Sequence, residues 1–285
     1  MYRRILDNRA RSGAHVRAAH RLNRATGLLA MSVLLDSGIE HYRGSFKNGF
    51  MFAPPAISAL TLAVSAHGTA DMRPLAHRAR QAAFSVAALT GLAGTGFHIY
   101  NVLKRPGRLG WQNVFYGAPL GAPMAILLAG LLGAAAEEVR HTPRGRSARV
   151  FGLSAGRLLA AVSGAGILGT VAEAGLLHFR GAYHNPAMYA PVTVPPVSAA
   201  LLIGAAASAS PRRRRIARAW LRLTALLGFA GVGFHLFGIG RNMGGWRNWT
   251  QNVLNGPPLP APPSFTGLAL AGLAALHLLK ERPHA

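Results

Sequence analysis

Four histidines occur at repeated positions, and imidazole is a side chain that can ligate a metal centre. They are His41, His98, His178 and His235. The segment Asp36–Pro54 returns as Glu173–Pro191, and Gly91–His98 returns as Gly228–His235, both at an offset of 137 residues. Because the repeated residues are ionisable and lie beside apolar runs, we interpret the repeat as the duplication of a site together with its scaffold.

Glycines accompany two of these histidines at helical spacing. Gly91 and Gly94 precede His98 by seven and four residues, and Gly228 and Gly231 precede His235 in the same way. Residues at this spacing share a helical face, so the face below each imidazole lacks side chains and leaves room for a large flat group. Histidines on the first and third helices of a four-helix bundle can meet in its core. This design resembles that of membrane b-type cytochromes, which place His pairs on facing helices. It predicts up to two b-type haems, held by His41 with His98 and by His178 with His235.

Two other interpretations of the histidines stay open. A metal ion could be bound by these histidines together with Asp36 or Glu173, because such a ligand mixture suits zinc, iron or copper equally. Alternatively, the glycines serve close helix–helix contact and the histidines form hydrogen bonds.

Two carboxylates and two arginines complete the repeated set. Asp36 and Glu173 lie five residues before the first histidine of each half, inside apolar sequence, where an ionisable side chain is costly and usually functional. We expect them to accept protons near a redox ligand or a quinol, and the alternative is an ion pair with Arg43, with Arg180 or with a neighbouring helix. These arginines follow the same histidines by two residues, and a guanidinium there can clamp a carboxylate or a phosphate.

Apolar runs of bilayer length are the elements that must position these residues. About 20 apolar residues span the hydrocarbon as a helix, and the sequence shows eight such stretches, at 24–41, 52–68, 83–103, 116–136, 157–178, 188–208, 217–238 and 264–280. The sequence therefore predicts an all-α integral membrane protein with eight transmembrane helices. These form two tandem four-helix repeats in the same orientation, related by a pseudo-twofold axis along the membrane normal.

The basic charge of the chain indicates its orientation. The formal net charge is +23, with 31 Lys and Arg against 8 Asp and Glu. Most of the basic residues fall in segments that would be cytoplasmic if both termini were, which is the positive-inside bias. This topology explains the charge without a nucleic-acid partner, and it predicts a multi-pass protein of the bacterial inner membrane with the four histidines near the periplasmic face. The predicted segments are a basic cytoplasmic arm (1–23), repeat 1 (24–136), a cytoplasmic linker (137–156), repeat 2 (157–280) and a cytoplasmic tail (281–285).

These features favour a membrane redox subunit that binds haem and moves electrons between quinone or quinol and an external partner. That partner would be a periplasmic dehydrogenase or electron acceptor, and the chain would then be the membrane subunit of an oxidoreductase complex. Membrane lipids are expected partners under each interpretation. The chain has no cysteine, which excludes disulfides and thiolate-held iron–sulfur clusters. Two alternatives stay open: a haem-free quinol-binding anchor, and a transporter or permease for an anionic or proton-coupled solute.

Overall fold

The structure is a computed structural model that describes residues 2–143, 146–208 and 210–280, with side chains from residue 13 onward. Its helices are α1 (Tyr2–Arg43), α2 (Ala53–Ala70), α3 (Arg78–Leu103), α4 (Trp111–Tyr116), α5 (Gly121–Arg140), α6 (Ala155–Arg180), α7 (Ala190–Ala206), α8 (Pro211–Arg241), α9 (Trp249–Asn255) and α10 (Pro263–Leu278). Short 3-10 turns precede α2, α7 and α9, at Gly49–Phe52, Pro186–Tyr189 and Gly245–Asn248. A small antiparallel hairpin, β1 (Arg149–Val150) with β2 (Leu153–Ser154), lies between α5 and α6.

Six helices are long and apolar enough to cross a membrane. They are α3, α5, α6 and α8, together with α2 and α7 when each is counted with the 3-10 turn before it. Several begin with proline in the first turn, where the missing N–H has no helical partner to lose. The prediction of an all-α, multi-pass membrane protein is confirmed at this level.

The first and eighth predicted spans form helices that are less apolar or shorter than the other six. Helix α10 is apolar but has only 16 residues, and α1 carries Asp36, Glu40 and His41 within the predicted span. Both occupy the centre of the molecule, since α10 packs against α1, α6 and α8 and is almost wholly buried. A helix surrounded by protein needs less apolar surface than one that faces lipid, so these two are less hydrophobic or shorter than the other six.

Each half of the chain is a four-helix bundle in which the first and third helices lie at opposite corners. In the first half, α1 and α3 each pack against α2 and α5; in the second, α6 and α8 each pack against α7 and α10. The halves join mainly through α1 and α10, where the hydroxyls of Ser32 and Ser264 are 2.9 Å apart. This arrangement places the four repeated histidines at one end of the molecule, which we call the motif end.

Helix α1 extends well before the first predicted span. It is continuous from Tyr2, and Ala18, Ala19 and Leu22 are buried in the main core. The residues predicted as an N-terminal arm therefore contribute packing at the end opposite the motifs. The predicted tail, 281–285, lies outside the described residues.

Candidate functional site

The two loops that follow α1 and α6 fold in the same way and hold one histidine each. The His41 Nδ1 atom lies 2.5 Å from the carbonyl oxygen of Met51, and His178 Nδ1 lies 2.9 Å from that of Met188. In both loops two residues adopt positive φ directly after the Arg-Gly pair, which reverses the chain. Asn48 then accepts a hydrogen bond from the Phe50 amide, as Asn185 does from the Ala187 amide, and starts the 3-10 turn. Each asparagine is thus the N-cap of its 3-10 turn.

The other two histidines are held by the segments that lead into α5 and α10. His98 Nδ1 contacts the carbonyl oxygen of Pro119, and His235 Nδ1 lies 2.7 Å from that of Pro258. The loop before α4 is closed by Asn113, whose amide donates to the carbonyls of Pro106 and Arg108 at 2.8 and 2.9 Å. Asn252 closes the corresponding loop of the second half through the carbonyls of Met243 and Gly245.

All four imidazoles therefore share one hydrogen-bonding pattern. A backbone carbonyl can only accept, so each Nδ1 must carry the proton, and the lone pair of the neutral ring lies on Nε2. Histidines that ligate a metal commonly donate their second ring N–H to a carbonyl, which fixes both tautomer and orientation. The pattern leaves Nε2 of each ring as the atom that could bind a ligand.

The histidines also have neighbours within their own halves. His98 lies within electrostatic range of His41, and His235 lies within electrostatic range of His178. Each third-helix histidine thus lies near the first-helix histidine of the same bundle. This placement agrees with two side chains that project from diagonally opposite helices toward the centre of a four-helix bundle.

The glycines do not line an open space on the face where the sequence predicted one. A Cβ atom on Gly91 would lie 2.3 Å from the backbone nitrogen of Leu127, and one on Gly228 would lie 2.8 Å from the carbonyl oxygen of Pro262. Gly94 and Gly231 face the prolines at the starts of α5 and α10. This face is filled by the fourth helix of each bundle, so all four glycines serve close helix packing. A flat cofactor would have to occupy another face of these helices.

Asp36 and Glu173 lie between the two halves. Glu173 projects from α6 onto the start of α5, where a Cβ atom on Gly121 would lie 1.4 Å from its Oε2 atom. The Glu173 carboxylate is also within electrostatic range of Asp36. In residues 13–143, 146–208 and 210–280, neither carboxylate has an ion pair or hydrogen bond. The two acidic groups, one from each half, therefore interact electrostatically, and neither is paired with a cation in the part of the chain that the structure describes.

The arginines after the motif histidines have different partners in the two halves. Arg43 forms an ion pair with Glu40 at 2.7 Å, whereas the Arg180 guanidinium lies over the rings of Phe115 and Tyr116 at 5.7 and 5.3 Å from their centroids. Among the described residues, neither arginine forms the ion pair with Asp36 or Glu173 that was the alternative expectation. An exposed carboxylate one turn earlier in α1 and aromatic rings of α4 take these contacts instead.

A buried ionic network at the opposite end was not predicted. The Arg80 guanidinium donates to both oxygens of Glu137 at 2.9 and 2.8 Å and to Asp71 at 2.8 Å. Arg140 donates to the backbone carbonyls of residues 68, 71 and 73. Hydrogen bonds from Arg73, with the support of Arg80, hold the pKa of Asp71 well below its ordinary range. The sequence pattern does not predict this network, because Arg80 and Glu137 lie 57 residues apart in the chain.

The predicted metal-ion alternative has no assembled ligand set in the part of the chain that the structure describes. There, no group of three or more His, Asp or Glu side chains is placed to hold a metal ion. Comparison of the chain with protein-family models, with curated proteins and with solved structures gives no match.

Proposed function

We propose that this protein is a membrane electron-transfer subunit that binds b-type haem through His41 with His98 and His178 with His235. The observation that carries the proposal is the common state of the four rings, in which Nδ1 donates to a carbonyl and Nε2 is left as a ligand atom. Haem, when bound, would supply one-electron chemistry between a quinol and an external acceptor or dehydrogenase.

The topology that we propose has eight membrane crossings in two four-helix repeats. Helices α1 and α10 complete the six apolar spans, because their central positions remove the need for a fully lipid-facing surface. Most Lys and Arg lie in segments at the end opposite the motifs, including the run Arg212–Arg215. By the positive-inside rule that end is cytoplasmic, so both termini are inside and the motif end faces the periplasm of a bacterial inner membrane.

The protein's own groups have separate roles in this proposal. The four carbonyls hold the imidazoles in one tautomer. The packed glycines bring the third and fourth helices of each half close together, which supports the Pro119 and Pro258 carbonyls beside His98 and His235. Asp36 and Glu173 are the proton acceptors for quinol oxidation, because they are carboxylates without cations at the interface of the halves. Arg43 is available for an anionic or carbonyl group through the N–H donors that Glu40 does not use.

An absorption spectrum of the purified protein tests this proposal. We expect a Soret band, and about half of it should remain after His98→Ala, because the second pair lies in its own bundle. The double variant His98→Ala/His235→Ala should have none. His184→Ala is the matched control, since this histidine is exposed and its ring hydrogen-bonds to the carbonyl of Gly181 in its own loop. A folded, membrane-inserted protein without haem would overturn the proposal, and complete loss of haem from His98→Ala alone would show a single shared site.

The facing carboxylates favour a second candidate function, a proton-coupled transporter. Transporters built from repeats bind substrate at the interface of the repeats, and Asp36 and Glu173 lie there. Solute uptake that requires both carboxylates, in a protein without a chromophore, would select this function over electron transfer.

A further inference from the structure

A cavity opens at the motif end between the loop that follows α1 and helix α9. Its volume is about 580 Å³, which is within the range of small-molecule sites. The lining residues are Tyr42, Arg43, Ser45, Phe46, Leu254 and Asn255. The first four belong to the first half and the last two to the second, so the cavity exists only because the halves meet.

The corresponding place on the other side of the molecule is filled. There, Arg180 lies over the rings of Phe115 and Tyr116, and the Phe115 ring contacts that of Phe179 at 6.0 Å. The segments Gln112–Gly117 and Gln251–Gly256 share their Gln-Asn-Val start and final glycine, and they place Leu254 and Asn255 where the first half has Phe115 and Tyr116. The replacement of two aromatic rings by a leucine and an asparagine accounts for the cavity on one side alone.

The walls of the cavity combine aromatic surface with hydrogen-bond donors. The Phe46 ring stacks on Phe52 at 4.3 Å and meets the His41 ring edge-on at 6.1 Å. The Arg43 guanidinium, the Tyr42 hydroxyl and the Asn255 amide can all donate hydrogen bonds. A flat ring would pack on Phe46, and carbonyl oxygens at its edges would accept from these donors.

The cavity also adjoins the groups to which the proposed function assigns chemistry. Asp36 precedes Arg43 by seven residues, so both lie on one face of α1. The His41 ring packs edge-on against Phe46, which lines the cavity. A ring bound in the cavity would therefore contact Phe46, which packs on a proposed haem ligand, and would lie about two helical turns from a proposed proton acceptor on the same face of α1.

We propose that this cavity binds the head group of a quinone, at one site per chain. The inference rests on the proposed electron-transfer function for its physiological meaning, but the binding itself can be measured without any bound haem. The second half has no equivalent site because Arg180, Phe115 and Tyr116 fill the space.

The test introduces the aromatic side chains of the filled side at the corresponding positions of the cavity. The double variant Leu254→Phe/Asn255→Tyr carries the residues of α4, a combination that the same motif already accommodates in the first half. A short-chain ubiquinone is titrated into detergent-solubilised protein, and quenching of tryptophan fluorescence reports binding. We expect one site in the wild type, at least a tenfold loss of affinity in the double variant, and no change in Gln251→Ala, an exposed residue of α9 that does not line the cavity. Arg43→Gln is a second variant that leaves α9 intact, and it should also weaken binding.

Circular dichroism and the absorption spectrum of the same samples separate this inference from the proposed function. Equal ubiquinone affinity in the folded wild type and both cavity variants, or no binding to the wild type, would overturn the quinone site even if haem is present. Ubiquinone binding that the cavity variants abolish, in a protein without haem, would support the site and overturn the electron-transfer proposal.

Discussion

The ionic network of Arg80 and Glu137 gives the sharpest test of how the two halves are stabilised. The Arg80 side chain is 2% exposed and that of Glu137 is 0% exposed, and two hydrogen bonds join them. The second half has Ala217 and Leu276 at the corresponding positions, both fully buried. The same site in the bundle is thus ionic in one half and apolar in the other.

We predict strongly non-additive effects when the first half receives the residues of the second. Glu137→Leu leaves the Arg80 guanidinium with Asp71 and, at 3.4 Å, with the His67 ring. Arg80→Ala leaves a buried carboxylate with Arg140 3.9 Å away. Removing one partner of a buried ion pair costs about 3–5 kcal/mol, whereas replacing both partners with apolar residues is often neutral. The double variant still disturbs Asp71, so we expect it to lose no more than about 2 kcal/mol.

The free energy of unfolding, measured by denaturant titration in detergent micelles, provides the double-mutant cycle. The expected interaction energy between the two positions exceeds about 3 kcal/mol, at or above the upper end for residues in contact. Arg78→Ala is the control, because this exposed arginine is nearby in α3 and should change stability by less than about 0.5 kcal/mol. Single-variant losses that add to the double-variant loss within about 0.5 kcal/mol would refute the buried pair.

Three further predictions concern close packing and pH. Gly91→Ala should lower the free energy of unfolding by about 1–3 kcal/mol, because the new Cβ atom would lie 2.3 Å from a backbone nitrogen of α5. Gly96 faces open space, so Gly96→Ala should be close to neutral in the same denaturant titration. Gly121→Ala should displace the Glu173 carboxylate and slow quinol oxidation in a stopped-flow assay while the absorption spectrum is unchanged; an unchanged rate would remove Glu173 from the proposed proton path. The pKa of Asp71 is lowered in the folded protein, so the ionised carboxylate stabilises the fold above the ordinary Asp pKa of about 3.9, and this stabilisation is lost as the pH falls below that value. Asp71→Asn should therefore reduce the decrease in unfolding free energy with falling pH, measured by denaturant titration across acidic pH. An unaltered pH dependence would contradict the lowered pKa of Asp71.

The sequence predicted the positions of the apolar helices but not the packing partners of their glycines. The predicted span 157–178 lies within Ala155–Arg180, because an apolar run of bilayer length specifies a helix through local composition. The spacing of Gly91 before His98, by contrast, is the same whether a cofactor or a neighbouring helix occupies the glycine face. Only the contact with Leu127 in another helix decides between them, and no local pattern encodes that contact.

The differences between the halves bear on the direction of electron flow in the proposed function. All four histidines lie at the motif end and are held by backbone carbonyls, yet the cavity described above lies on the His41 side, and the corresponding place on the His178 side holds Arg180, Phe115 and Tyr116. Two centres at the same depth do not suit transfer across the bilayer, which requires centres stacked along the membrane normal. Under the proposed function they would suit transfer parallel to the membrane plane, with quinol entering beside His41 and the second pair passing electrons to the external partner. The aromatic cluster around Arg180 would then occupy the second quinol position, and Phe179 and Tyr116 expose aromatic surface at the motif end.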